Sequence, residues 1–467
     1  MSRYRKLLGN TGIYAIGNFG SKAIQLILLP LYTNYLTQEA YGTIDAVTQI
    51  ITAMVPVLTL SIYDAVLRFS MDKTYSPLEV LSCAMRLIAV STGIFAAVLA
   101  VLSLFMPGFH LLFILLLIFL NACRMTIGYY LRAMDHIKVY SVSGLTLTFV
   151  LAALNIYFIA YRGMGVEGYF YSLIVAYIAS IVVMLPKMPS PRNYVRRRRG
   201  SPLLKAMLSY SVPLIPNALL WWAISASNRL FLVNYHSISE SGLFAVAAKI
   251  PTVITIAMQM FVQAWQITAI EEYEKDDRDE FYSELYNLSQ MILFMLCLGL
   301  IILLPLVWKI IGSAYSVSMY YVPLITLSVV FSSLSSFQGS IYLAVKKTKG
   351  VLWSTLFGGS ATLLVNYLLI PKFAGYGACI SLVIGFVAVW GYRILDLRKS
   401  INVNYCLMKT LVSTLACVLA FLLLYLDSQA VRIGGQLLLA ALLMVLYHTE
   451  IKRLLRGIGS LMTVRSR

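Results

Sequence analysis

The chain has 467 residues, is 60% hydrophobic and 12% charged, and carries a formal net charge of +18. So apolar a composition excludes a soluble enzyme and belongs to an all-α polytopic membrane protein. A basic excess of this size would point to nucleic acid in a soluble chain, but its distribution along this sequence argues otherwise.

Arg3, Arg5 and Lys6 precede an apolar run that continues through Tyr35 without a small-residue cleavage pattern, so this segment is expected to be retained as a span. Apolar runs of about 18 or more residues predict fourteen transmembrane helices. The first six lie near 9–35, 42–66, 79–105, 110–131, 141–161 and 166–186. The next six lie near 206–235, 242–268, 285–308, 318–345, 351–371 and 375–392, and a last pair near 410–426 and 433–447. With the N-terminus inside, inner segments hold 28 of the 37 Lys and Arg, while outer segments hold only Arg162, Lys309, Lys372 and Arg432. That asymmetry predicts both termini in the cytoplasm, and it explains the basic excess as a topological signal rather than a nucleic-acid footprint. Arg196–Arg199, beside Pro189, Pro191 and Pro202, reads as a linker held near anionic headgroups. The acidic run Glu271 to Glu280 reads as a solvated inner connection.

Five cations fall inside spans: Lys22, Arg86, Arg124, Arg229 and Lys249. In the first helix Tyr14, Asn18, Lys22 and Gln25 share one face. A lysine near mid-depth costs about 2.5–3.5 kcal/mol, so Lys22 is expected to face a polar interior. Asp64 and Arg68, four apart at the inner end of the second span, are placed to pair. Arg124 lies about 12 Å from its inner end at 1.5 Å per residue, with Asn121 one turn away. Span seven carries Asn217, Trp221, Ser225 and Arg229 at i+4 steps, and span eight carries Lys249, Thr252, Gln259, Gln263 and Gln266. Arg229 and Lys249 are also within snorkelling reach of the outer surface, and Gln259 could equally serve as interhelical glue. Asp45, Asp64, Glu79 and Glu167 all lie near helix ends, leaving no carboxylate at depth. Buried cations without buried carboxylates predict an anionic cargo. Diphosphate or an acidic sugar suits Arg forks and Lys point charges.

The halves repeat. Asn34-Tyr35 and Gly42 match Asn234-Tyr235 and Gly242; Asn155 matches Asn366; Gly168-x3-Ser172 matches Gly377-x3-Ser381; Ala133 and Lys138 match Ala344 and Lys349. An even number of helices per copy makes the repeats parallel, with a site expected between them. The expected organisation is a lobe at 1–186, a basic linker at 187–205, a second lobe at 206–396, and a helix pair with a basic tail at 397–467. The six cysteines show no metal spacing. The four histidines are isolated, and no outer loop is long enough for a catalytic lid, which argues against a membrane polymerase or ligase.

Asn18-Phe19-Gly20-Ser21-Lys22, Pro30-Leu31-Tyr32-Thr33, Leu36-Thr37 and Tyr41-Gly42, with Asp64-Ala65-Val66-Leu67-Arg68-Phe69, resemble the opening of the polysaccharide transporters. These are the O-antigen and capsule repeat-unit flippases of the MATE-like multidrug/oligosaccharidyl-lipid/polysaccharide exporter superfamily. The resemblance implies a bacterial inner-membrane protein that moves an undecaprenyl-diphosphate-linked oligosaccharide outward by alternating access. It implies that cavity cations hold the diphosphate, Lys22 matching the family position best, and that polysaccharide assembly proteins are potential partners. Arg124, Arg229 and Lys249 join the candidates by depth and face. No cofactor is expected; ion coupling varies in the superfamily, and so few buried carboxylates leave little for a proton or sodium site. A lipid II-type flippase and a drug exporter of the same fold are the nearest alternatives.

Overall fold

The computed structural model describes residues 27–72, 74–105, 111–189, 201–345 and 347–454. Among the described residues there are sixteen α-helices and no strand. In chain order they are α1 (Leu29–Tyr35), α2 (Gln38–Leu58), α3 (Ile62–Ser70), α4 (Pro77–Phe105), α5 (Leu111–Ala133), α6 (Ile137–Asn155), α7 (Gly165–Met184) and α8 (Ser201–Ser211). Then come α9 (Leu214–Tyr235), α10 (Ile238–Lys249), α11 (Thr252–Glu272), α12 (Arg278–Val307), α13 (Val322–Ala344), α14 (Thr348–Leu397), α15 (Leu407–Leu422) and α16 (Gln429–Leu446). A π-helical turn, Ile156–Tyr161, extends α6.

Eleven helical stretches are long and apolar enough to cross a membrane, and twelve if the pair α10–α11, bent by 49°, is one span. The stretch α14 itself breaks at Ala374, whose φ of 48° is left-handed. Its two arms therefore correspond to the expected spans eleven and twelve, folded into a hairpin. A Cβ on Gly377 would stand 2.6 Å from the Leu369 carbonyl oxygen, so only glycine lets the arms approach this closely. The first expected span lies mostly outside the described residues. Leu438 and Val445 on α16 are 73% and 71% exposed, and Val90, Ile94, Val98 and Val101 form an exposed row on α4. Apolar surface on this scale requires lipid as its solvent. The chain is a multi-pass membrane protein.

The described residues group into two compact units, one within Ala23–Leu36 and Ala40–Trp222, the other within Thr37–Glu39 and Ala223–Arg467. In the first unit the core gathers Ile62, Ala65 and Val66 of α3, Val80, Ala84 and Ile88 of α4, Ala122 and Ile127 of α5, and Leu203 and Met207 of α8. In this unit the Asn155 amide donates to Tyr32 Oη at 2.7 Å, tying α6 to α1. The repeat partner of that residue does the same in the second unit: Asn366 donates to Ser227 Oγ at 3.0 Å, tying α14 to α9.

The second unit is centred on α13, with Trp265 stacked on Phe337 at 4.5 Å. Its last helix pair is attached by an extended strap. Ile401, Val403 and Tyr405 are buried, while the intervening backbone bonds along α12. Asn402 N donates to Asp279 Oδ2 at 3.2 Å, Asn404 N to Ser283 Oγ at 2.9 Å, and Asn287 Nδ2 donates to Asn404 O at 3.2 Å. Asp279, Ser283 and Asn287 are four apart and so lie along one helix face. Two ion pairs complete the attachment, Lys409–Glu450 at 2.7 Å and Arg453–Glu284 at 2.9 Å.

Candidate functional site

The short helix α3 is amphipathic, and its two faces have different fates. Ile62, Ala65 and Val66 enter the core, whereas Asp64, Leu67, Arg68 and Met71 turn to a cleft of about 370 Å³. Tyr210 of α8 and Leu214, Asn217 and Ala218 of α9 line its other side. Two chain breaks shape the cleft. Between α2 and α3, Leu60 and Ser61 both adopt the left-handed region, with φ of 51° and 52°. Between α8 and α9, Val212 and Pro213 form a turn, and proline supplies no amide to continue the helix.

Three of the residues selected from sequence, Asp64, Arg68 and Asn217, thus share one cleft. The expected Asp64–Arg68 ion pair is not among those within 4.0 Å of one another in the described residues. Both side chains are directed to the cleft instead. Asn217 Oδ1 is buried and has no hydrogen-bond partner. Tyr210 is 42% exposed, with its ring set edge-on to Phe69 at 6.1 Å.

Arg124 belongs to the same unit, on α5, and does not line this cleft. Its Nη2 donates to Asn121 Oδ1 at 3.2 Å and its guanidinium lies 5.7 Å from the Tyr177 ring centroid, while Nε is buried without a partner. The second unit holds Arg229, Lys249, Gln259 and Gln263. Arg229 is buried, donates to the Ser225 carbonyl at 2.9 Å and lies over the Phe244 ring at 5.3 Å. Lys249 ends α10 at the bend into α11, where Thr252 Oγ1 donates to its carbonyl at 2.5 Å. Gln259 is exposed on α11, and Gln263 lies on the same helix with its side chain outside the described residues. Asn18, Lys22 and Gln25 are also outside them.

Neither a family model nor a curated protein sequence matches this chain. Solved structures do. The lipid II flippase MurJ in an inward closed conformation superposes with a TM-score of 0.61 at 12% identity, covering 94% of this chain and 99% of that one. An outward-facing multidrug resistance MATE family transporter of the MOP superfamily gives 0.60 at 15% identity, over 85% and 96%. A Vibrio cholerae MATE transporter gives 0.57 at 14% identity, over 85% and 98%. The fold is that of MurJ and the MATE transporters.

Within this MurJ- and MATE-like frame the structure reveals two residues that the sequence reading did not select. Tyr210 stands at the mouth of the cleft, where an aromatic close to a membrane surface looks like an ordinary interfacial anchor. Arg393, counted above with the inner-segment charges, is instead 1% exposed. Its Nε donates to Ser354 Oγ at 3.0 Å, its Nη1 donates to Ser335 O at 2.5 Å, and the Tyr342 ring lies 5.9 Å away. Burying the stem against α13 keeps it within the helix packing, a placement that a rule based on loop charge cannot detect. Among the described residues no group of His, Cys, Asp and Glu could hold a metal ion.

Proposed function

We propose that this protein is a flippase that carries an undecaprenyl-diphosphate-linked oligosaccharide across the bacterial inner membrane, by alternating access between two six-helix lobes, for surface polysaccharide export. Both termini are cytoplasmic in this reading, and no bond is made or broken in the cargo. The observation that carries it is Arg124. It is a membrane-embedded guanidinium satisfied by one neutral amide and one aromatic face, with Nε left over. An unneutralised cation at that depth is costly unless something anionic visits it, and a diphosphate matches the guanidinium fork. Support also comes from a fold known in a lipid II flippase. The opening residues that resemble the polysaccharide transporters favour the repeat-unit branch.

The test is reconstitution in vesicles with a fluorescent polyprenyl-diphosphate glycan. Arg124→Ala and Lys22→Ala are expected to lower flipping by about tenfold or more with normal membrane insertion. Undiminished flipping by both variants refutes the assignment. A lipid II-type cargo is the second reading, favoured by the MurJ likeness over 94% of the chain. Rescue of cells depleted of their lipid II flippase would establish it instead.

A further inference from the structure

The cleft between α3, α8 and α9 is built differently from a phosphate site. Of its polar groups, the Asp64 carboxylate presents acceptors, Arg68 presents donors, and Asn217 lines the wall with an amide whose Oδ1 is buried. A phosphate brought here meets a carboxylate of its own sign. A polyol meets the reverse. Neighbouring hydroxyls each donate and accept, so they pair with the flat edges of a carboxylate, an amide and a guanidinium at once. The apolar part of the lining, with the exposed Tyr210 ring, suits the C–H face of a pyranose. At about 370 Å³ the space is near the small end of ligand pockets.

We infer that this cleft is a sugar subsite, in which Asp64, Arg68, Asn217 and Tyr210 hold a pyranose ring of the cargo while its phosphates are held elsewhere. The inference rests on the flippase reading for its cargo, and it adds a division of labour: glycan selectivity sits in α3, α8 and α9, and the phosphates are held by cations that do not line this cleft. Selectivity among sugars follows, because a hydroxyl missing from the ring leaves the Asp64 or Arg68 side chain without its partner.

The experiment uses the full chain in lipid nanodiscs. Saturation-transfer NMR is recorded with galactose, rhamnose, N-acetylglucosamine and glucuronate, and phosphorus line broadening with inorganic pyrophosphate. At least one sugar is expected to show transfer above empty nanodiscs. Asp64→Asn, Asn217→Leu and Tyr210→Ala are expected to cut that transfer by about tenfold while pyrophosphate broadening stays as in the parent. Tyr210 is exposed, so Tyr210→Ala keeps the test valid if either other variant folds poorly. Absence of transfer from every sugar, or sugar transfer unaffected by all three variants, overturns the subsite. So does loss of pyrophosphate broadening in Asp64→Asn. Pyrophosphate binding without sugar binding would refute the subsite and leave the flippase reading intact. Sugar binding that depends on these residues, with no flipping of a polyprenyl-diphosphate glycan in vesicles, would refute the flippase reading and leave the subsite.

Discussion

Ser61 offers a direct measure of strain beside the cleft. It is 1% exposed and holds φ at 52°, directly after Leu60 at 51°. A residue with a Cβ costs about 1–2 kcal/mol in this region, a cost glycine does not carry. Glycine loses roughly 0.5–1 kcal/mol through its freer unfolded chain, so Ser61→Gly should stabilise the folded protein by about 0.5–1 kcal/mol. The effect on the joint itself is larger. The entropy that glycine loses on ordering is common to the bent form and to any conformer where α2 runs straight into α3, so it cancels between them. The bent form is then favoured by about 1–2 kcal/mol relative to the straight one, or roughly 5- to 30-fold. Thermal unfolding in detergent is expected to rise by about 1–2 °C more for Ser61→Gly than for Ser61→Ala, which sheds the same buried, unpartnered hydroxyl but keeps the Cβ. Flipping in vesicles should slow if the cycle straightens this joint. A Ser61→Gly protein that melts no higher than both Ser61→Ala and the parent refutes the claim that the joint is strained.

The paired asparagines should differ in weight. Asn366 makes two buried side-chain bonds, to Ser227 and from Ser381, so Asn366→Leu should cost about 1–2 kcal/mol, at roughly 0.6 kcal/mol or more per bond in a membrane core. Asn155 makes one and leaves Oδ1 unpaired, so Asn155→Leu should cost less in the same melting assay. Burial tends to raise the Glu450 carboxyl, but hydrogen bonds from Lys409 and Thr449 outweigh it and hold the group below its ordinary 4.5. A depressed carboxyl stabilises above its unfolded value and loses that contribution as pH falls through its folded value. Melting should therefore drop below about pH 4.5 more steeply in the parent than in Glu450→Gln. Arg393→Ala should lower the melting point more than Arg398→Ala, because it removes the bonds to Ser354 Oγ and Ser335 O and leaves a cavity inside the helix packing.

Hydropathy carried the helices, because each must satisfy its backbone alone and so be long and apolar. The α14 hairpin was legible as two spans because Lys372 falls between two apolar runs, each long enough to cross a membrane. The break at Leu60–Ser61 was not, since neither residue is glycine or proline and its cause lies in tertiary packing. The cleft was half legible. Asp64, Arg68 and Asn217 stood out as polar residues in apolar surroundings, but their meeting depends on how α3 and α9 are set by two chain breaks. Arg393 escaped because a cation near a helix end is read as a topology marker, while its burial depends on the partners Ser335 and Ser354 far away in sequence.

The strap from Ile401 to Tyr405 determines how this chain can be engineered. Stopping translation at Leu397 would leave the Asp279, Ser283 and Asn287 row on α12 without the backbone it grips. It would also uncover the aromatic seat of Tyr405 on Tyr286, whose ring centroids are 4.9 Å apart. A reporter protein or affinity handle therefore belongs beyond Arg453, after the Glu284 contact has formed, and not at the end of the twelfth span.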